Sequence, residues 1–221
     1  MILLAACAFA TEPVLLPFSH DPVVGDHAAR TGVSGSASST GTYSADALVE
    51  VAFASRVGVA VTAGFGTEAA LLGGEVRAEL LDQETAPIGL GIGARYRHIG
   101  FDGADAEAEV ALYSAYEAGA LHLFLDATAG KDLVEPEGDV ESALAATGAL
   151  SEIAALGIQG QVRSRIGEGD EIFEGTSPWE ARVGGLFCLG EKRVSGFAFA
   201  GAEFVGAQPA ALVSVGVQLS L

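Results

Sequence analysis

The feature that most constrains this chain is an apolar/polar alternation with period two. It recurs along nearly the whole length, and no run of about 18 apolar residues interrupts it. Successive side chains of a β-strand point to opposite faces, so such alternation marks strands with one apolar and one polar face. The final stretch, ALVSVGVQLSL at 211–221, shows the pattern. Val213, Val215, Val217, Leu219 and Leu221 share one face, and Ser214, Gly216, Gln218 and Ser220 share the other. A soluble ligand-binding barrel would turn the apolar face to a core. A membrane barrel would turn it to lipid.

Twelve segments carry the pattern: 28–38, 43–53, 57–65, 72–80, 88–97, 106–114, 120–129, 140–150, 156–166, 179–187, 194–203 and 211–221. Most are nine to eleven residues long, the length of a tilted strand that crosses a bilayer. The eighth is the weakest, because its alanines and a capping Asp139 also suit a helix. The eleventh places Phe197 and Phe199 on one face and small residues on the other. An even strand number and alternating connections fit an up-and-down barrel. The connections after the fifth, seventh and ninth strands are acidic and glycine-rich: FDGADAE, GKDLVEPEGD and GEGDEIFEGTS. Those after even-numbered strands are mostly short.

Composition favours the lipid-facing choice. Half of the 221 residues are hydrophobic, yet the net charge is −18. Mean hydropathy is +0.40, and lysine occurs only at Lys131 and Lys192. High hydropathy without an apolar run requires interleaving, which is what a lipid-facing barrel needs. The acidic balance excludes nucleic acid as a partner, since phosphate binding needs clustered Lys and Arg. Residues 1–10, MILLAACAFA, read as a signal-peptide remnant with Ala8-Phe9-Ala10 as a cleavage site. Residues 11–27 read as a leading segment and 28–221 as the barrel. Cys7 and Cys188 stand far apart and form no disulfide framework.

If the apolar faces meet lipid, the charges line the lumen. The expected lining residues are Glu75, Arg77, Glu79, Arg95, Arg97, Glu107, Glu109, His122, Asp126, Arg163, Arg165, Glu180 and Arg182. Folding the fifth and sixth strands about their loop sets Arg95 against Glu109 and Arg97 against Glu107. Folding the ninth and tenth sets Arg165 against Glu180. Opposite charges across strands contribute about 0.2–1 kcal/mol each. Inside a narrow barrel they also avoid unpaired buried charge, which is far more costly.

On these residues the chain resembles a bacterial outer-membrane β-barrel of the porin-like kind, over roughly 28–221. The resemblance implies an outer-membrane location and a lipid-bilayer environment. It implies recognition of the last strand, 211–221, by the barrel-assembly machinery. Leu221 stands where such barrels commonly carry an aromatic residue. Girdle aromatics are few: Tyr43, Phe53, Phe65, Tyr96, Trp179 and Phe187.

No catalytic constellation emerges, and no cofactor is expected. His122 and Asp126 share a strand face but lie roughly 13 Å apart along it, too far for a catalytic pair. His98 lies near the end of the fifth strand; His20 and His27 lack metal-ligand spacing. The loop GEGDEIFEG lacks the spaced ligands of a calcium loop, and GLGIGA at 89–94 is strand, not a dinucleotide fingerprint. The function these features favour is a narrow pore for small solutes with a charge-paired lumen. The competing function is a closed structural or adhesive barrel, with 130–140 and 167–178 as contact surface.

Overall fold

The structure, a computed structural model, describes residues 29–53, 56–67, 70–82, 85–99, 106–133, 137–167, 179–191, 194–205 and 207–220. The expected leader and leading segment, much of the acidic connections, Lys192 and Leu221 lie outside the described residues. Twelve strands follow in order: β1 (Ala29–Ser38), β2 (Tyr43–Phe53), β3 (Val57–Gly66), β4 (Ala70–Leu81), β5 (Gly89–Ile99), β6 (Ala106–Ala118), β7 (Leu121–Asp132), β8 (Glu137–Ala149), β9 (Ala154–Gly167), β10 (Trp179–Glu191), β11 (Val194–Val205) and β12 (Gln208–Ser220). Each pairs antiparallel with its sequence neighbours, and β1 pairs with β12, so the sheet closes on itself. Closure leaves no unpaired edge, which is what a sheet in hydrocarbon requires.

The alternation sets which way each face turns. Val61 is 54 % exposed, Ile158 67 % and Val215 61 %, all on the outer wall. Their sequence neighbours point inward. An apolar belt this large around the whole molecule is untenable in water; its medium is hydrocarbon, and the chain is a transmembrane barrel. Among the described residues no helix is long and apolar enough to cross a membrane.

Register positions the interior. Stepping across hydrogen-bonded partners around the barrel shifts the chain by about 14 residues per circuit. Twelve strands with that stagger tilt by about 40° and give a backbone radius of about 11 Å. Short turns hold the register. Gly119, at φ +63°, and Gly41, at φ +91°, sit in left-handed conformations that carry no steric penalty without a Cβ. Gly119 opens the two-residue turn that joins β6 to β7.

The eighth segment is a strand over Glu137–Ala149, not a helix. Its alanines obscure the alternation because they occupy the inner face, with Ala143 and Ala145 buried, while Leu144 faces out. The eleventh strand corrects the rule that bulky residues face lipid. Phe197 and Phe199 are buried in the lumen, and Ala198 and Ala200 are outside. The parity of β11 is fixed by Glu203, which lies two and three pleats along from these rings and pairs inward with Arg182. A one-residue slip would turn Glu203 into lipid, and that costs more than leaving two alanines on the outer wall.

Candidate functional site: the charged lumen wall

One line of registered residues runs across eight strands. Arg30 on β1 stands opposite Glu50 on β2, and the line continues through Ala60, Glu75, Arg95, Glu109 and Gly130 to Asp139 on β8. Acid and base alternate along much of it. Ala60 and Gly130 are the small members, and longer side chains meet over them. An added Cβ at Gly130 would lie 2.5 Å from Glu107 Oε1 and 2.7 Å from Asp139 Oδ1.

The contacts form three knots. In the first, Glu50 receives both Arg30 and Arg77, with Arg77 Nε donating at 2.8 Å. In the second, Arg95 lies between Glu109, at 3.1 Å, and Glu75, at 3.6 Å. Arg95 Nη2 also donates to the Tyr113 hydroxyl at 3.3 Å, and that hydroxyl donates to Glu75. In the third, Arg97 donates to Glu107 at 2.8 Å and pairs with Glu109. Further round, Arg163 donates to Asp139 at 2.5 Å, Gln161 to Glu141 at 2.6 Å, and Arg182 to Glu203 at 2.9 Å.

These groups are covered. Arg97 is 1 % exposed, Tyr113 0 %, Glu109 3 % and Glu141 2 %. Charges this deep are tolerable because each of these guanidiniums meets a carboxylate, and Arg95 and Arg97 meet two. Glu107, Glu109 and Asp139 bring carboxylate oxygens within 4.8 Å of one another, a spacing that could hold a cation. Arg97 and Arg163 flank that cluster and already supply positive charge.

The opposite part of the wall is apolar. Ala155, Leu186, Cys188, Phe197, Phe199 and Leu212 form one buried cluster on β9–β12, with Leu48 of β2 packed against it. Glycines seat its rings: an added Cβ at Gly216 would lie 2.2 Å from Phe197, and one at Gly184 or Gly201 within 2.8 Å of Phe199.

The expected residues can be placed one by one. Arg77, Glu79, Arg95, Arg97, Glu107, Glu109, His122 and Asp126 are buried and inward, and Glu75, Arg163, Glu180 and Arg182 are inward and half-buried. Arg95 opposite Glu109 and Arg97 opposite Glu107 match the expected register. The ninth–tenth pairing differs by two residues: Glu180 stands opposite Arg163, not Arg165. The side chain of Arg165 lies outside the described residues. Arg182 pairs with Glu203, and His122 Nδ1 lies 3.1 Å from Glu117 at the lumen rim. Sequence reasoning missed Arg30, Glu50, Tyr113, Asp139, Glu141 and Glu203 as members. Arg30 and Glu50 were within reach, since folding β1 and β2 about their short turn sets them opposite.

No protein-family model and no curated protein sequence matches the chain. Solved structures do. The NanC porin superposes with a TM-score of 0.68 at 9 % identity, covering 86 % of this chain and 100 % of that one. An outer membrane channel from Pseudomonas putida F1 gives 0.64 at 9 % identity, covering 92 % and 99 %. The KdgM porin gives 0.63 at 11 %, covering 87 % and 99 %. The fold is that of an outer-membrane porin. At these identities the likeness concerns the path of the backbone; the lumen chemistry of this porin-like barrel must be read from its own side chains.

Proposed function

We propose that this porin-like barrel is a bacterial outer-membrane channel for small solutes, narrowed by a charge-paired constriction. The observation that carries the reading is the registered acid–base line from Arg30 to Asp139 on the inner wall of a closed barrel. Facing charges of this kind set a transverse field at a narrow point, as charged rings do in other channels. The net charge of −18 would concentrate cations at the mouth. The reading is transport rather than catalysis: its structural neighbours are porins and channels, and His122 faces Glu117 rather than Asp126. The same reading has β12 as the segment recognised by the barrel-assembly machinery, supported by its outward Val213, Val215, Val217 and Leu219. Planar-bilayer recording on refolded protein tests the channel. Small unitary steps are expected, and their absence over a full voltage range would refute it.

One observation favours a second reading, a closed structural or adhesive barrel. Arg97 on β5 and Leu186 on β10 are each only 1 % exposed, so side chains pack closely on both the charged and the apolar parts of the inner wall. Deleting the β9–β10 connection would then abolish surface binding and leave heat-modifiable folding intact.

A further inference from the structure

The inner wall holds more acid than base. Among the described residues eight carboxylates are buried, from Asp46 on β2 to Glu141 on β8, against three guanidiniums, those of Arg77, Arg95 and Arg97. The half-buried members of the same wall do not narrow the gap. They are Arg30, Arg163 and Arg182 on one side and Glu75, Asp132, Glu180 and Glu203 on the other. One further arginine, Arg165, lies outside the described side chains and is too few to close a difference of five. Lys131 is exposed and shares the outer face of β7 with Leu125 and Ala127.

The positive charges that are present are already engaged. Glu50 holds Arg30 and Arg77, Glu109 holds Arg95 and Arg97, Asp139 holds Arg163, and Glu203 holds Arg182. An anion in transit must displace a carboxylate to reach any of these guanidiniums. A cation meets the opposite situation. Asp126 Oδ1, Glu141 Oε2, Gln159 Oε1 and Gln218 Oε1 are buried and have no hydrogen-bond partner among the described residues. Carboxylate and amide oxygens are acceptors. They belong to β7, β8, β9 and β12, so they are spread along the wall and do not converge on one position. A dispersed set of acceptors suits a solute that passes by and brings positive charge or donors, rather than one that stays.

We propose that the lumen wall makes the channel selective for small cations over anions. The inference rests on the channel reading and names the class of solute that the channel passes. It also places the selection inside the barrel, on side chains of the strands, and not only at the acidic mouth. Rings of Asp and Glu select cations in other channels. A passage lined by one sign of charge between low-dielectric walls raises the local concentration of counter-ions. Charges on a covered wall are screened by salt much less than charges at an open mouth.

The test is the reversal potential of the refolded full chain in planar bilayers under a KCl gradient. A permeability ratio of K⁺ over Cl⁻ of roughly tenfold or more is expected. It should persist with 1 M KCl on the concentrated side, where the Debye length of about 3 Å suppresses a field set up by exposed mouth charges. Asp126→Asn/Glu141→Gln removes two carboxylates isosterically and leaves every ion pair named above in place. It should lower the ratio at least threefold, and heat-modifiable migration verifies that the variant folds. A wild-type preference for Cl⁻, or none, would overturn the proposal while the channel reading stands. A ratio that collapses at 1 M KCl, or is unchanged in the folded double variant, would overturn the role of the wall and assign selection to the mouth. Silence at every voltage yields no reversal potential at all; it would sink the channel reading and this inference with it.

Discussion

Replacing Arg97 with methionine is the sharpest probe of the lumen. Arg97 is 1 % exposed and holds Glu107, at 2.8 Å, and Glu109. Methionine keeps the aliphatic bulk and removes the charge, so Glu107 loses its direct partner. Glu109 keeps Arg95 at 3.1 Å. Removing one member of a buried ion pair costs about 3–5 kcal/mol, chiefly by stranding the other charge. Arg97→Met/Glu107→Gln replaces the stranded carboxylate with a neutral amide and should recover more than half of that loss. Equilibrium urea unfolding in lipid vesicles, followed by the fluorescence of Trp179, the one tryptophan of the chain, measures both variants. In a wide, water-filled lumen the same pair would behave as a surface salt bridge, worth about 0–1 kcal/mol. A loss below about 1 kcal/mol for Arg97→Met, or no recovery in the double variant, would refute the covered ladder.

Three further outcomes are expected from the same unfolding assay. Val61→Arg, at mid-height on the outer wall, should cost about 2–4 kcal/mol, whereas Tyr43→Arg, at the end of β2, should cost about 0–1 kcal/mol; equal losses would contradict a lipid-facing belt. Gly201→Ala would place a Cβ 2.2 Å from the Val183 carbonyl oxygen and 2.7 Å from Gly184 Cα, so it should destabilise by about 1–3 kcal/mol. Gly74→Ala, whose nearest heavy atom would be at 3.8 Å, should stay within about 0.5 kcal/mol. Tyr113→Phe removes a hydroxyl that serves both Arg95 and Glu75 and should cost about 1–3 kcal/mol.

Much of this architecture is legible in the chain because pleating imposes a strict period. Val57, Val59 and Val61 against Gly58 and Thr62 admit one orientation. Pairing across the β5–β6 connection was also legible, since it follows from counting outward from a loop of known centre. The β9–β10 register was not, because a long connection has no fixed apex, and a shift of two residues preserves every face. β8 was ambiguous because alanine suits helix and strand alike, and closure of the sheet decides it. Phe197 and Phe199 misled because size was read as lipid exposure; neighbours on the same strand, above all Glu203, set the parity.

The seam between β1 and β12 has a consequence for assembly. The ion pairs join residues close in sequence: Arg97 and Glu107 are ten apart, Arg30 and Glu50 twenty. The seam instead joins Ser39 to Ala211, 172 positions away. Its inward pairs are Arg30 with Ser220, Gly32 with Gln218, Ser34 with Gly216, Ser36 with Ser214 and Ser38 with Leu212. Local contacts form early, while distant ones wait on the entropy of bringing the ends together. Neighbouring hairpins can therefore neutralise their charges before the cylinder exists, and the last event is a zipping in which Arg30, already held by Glu50 of its own hairpin, is the one inward charge, so that it strands no ion if it is slow.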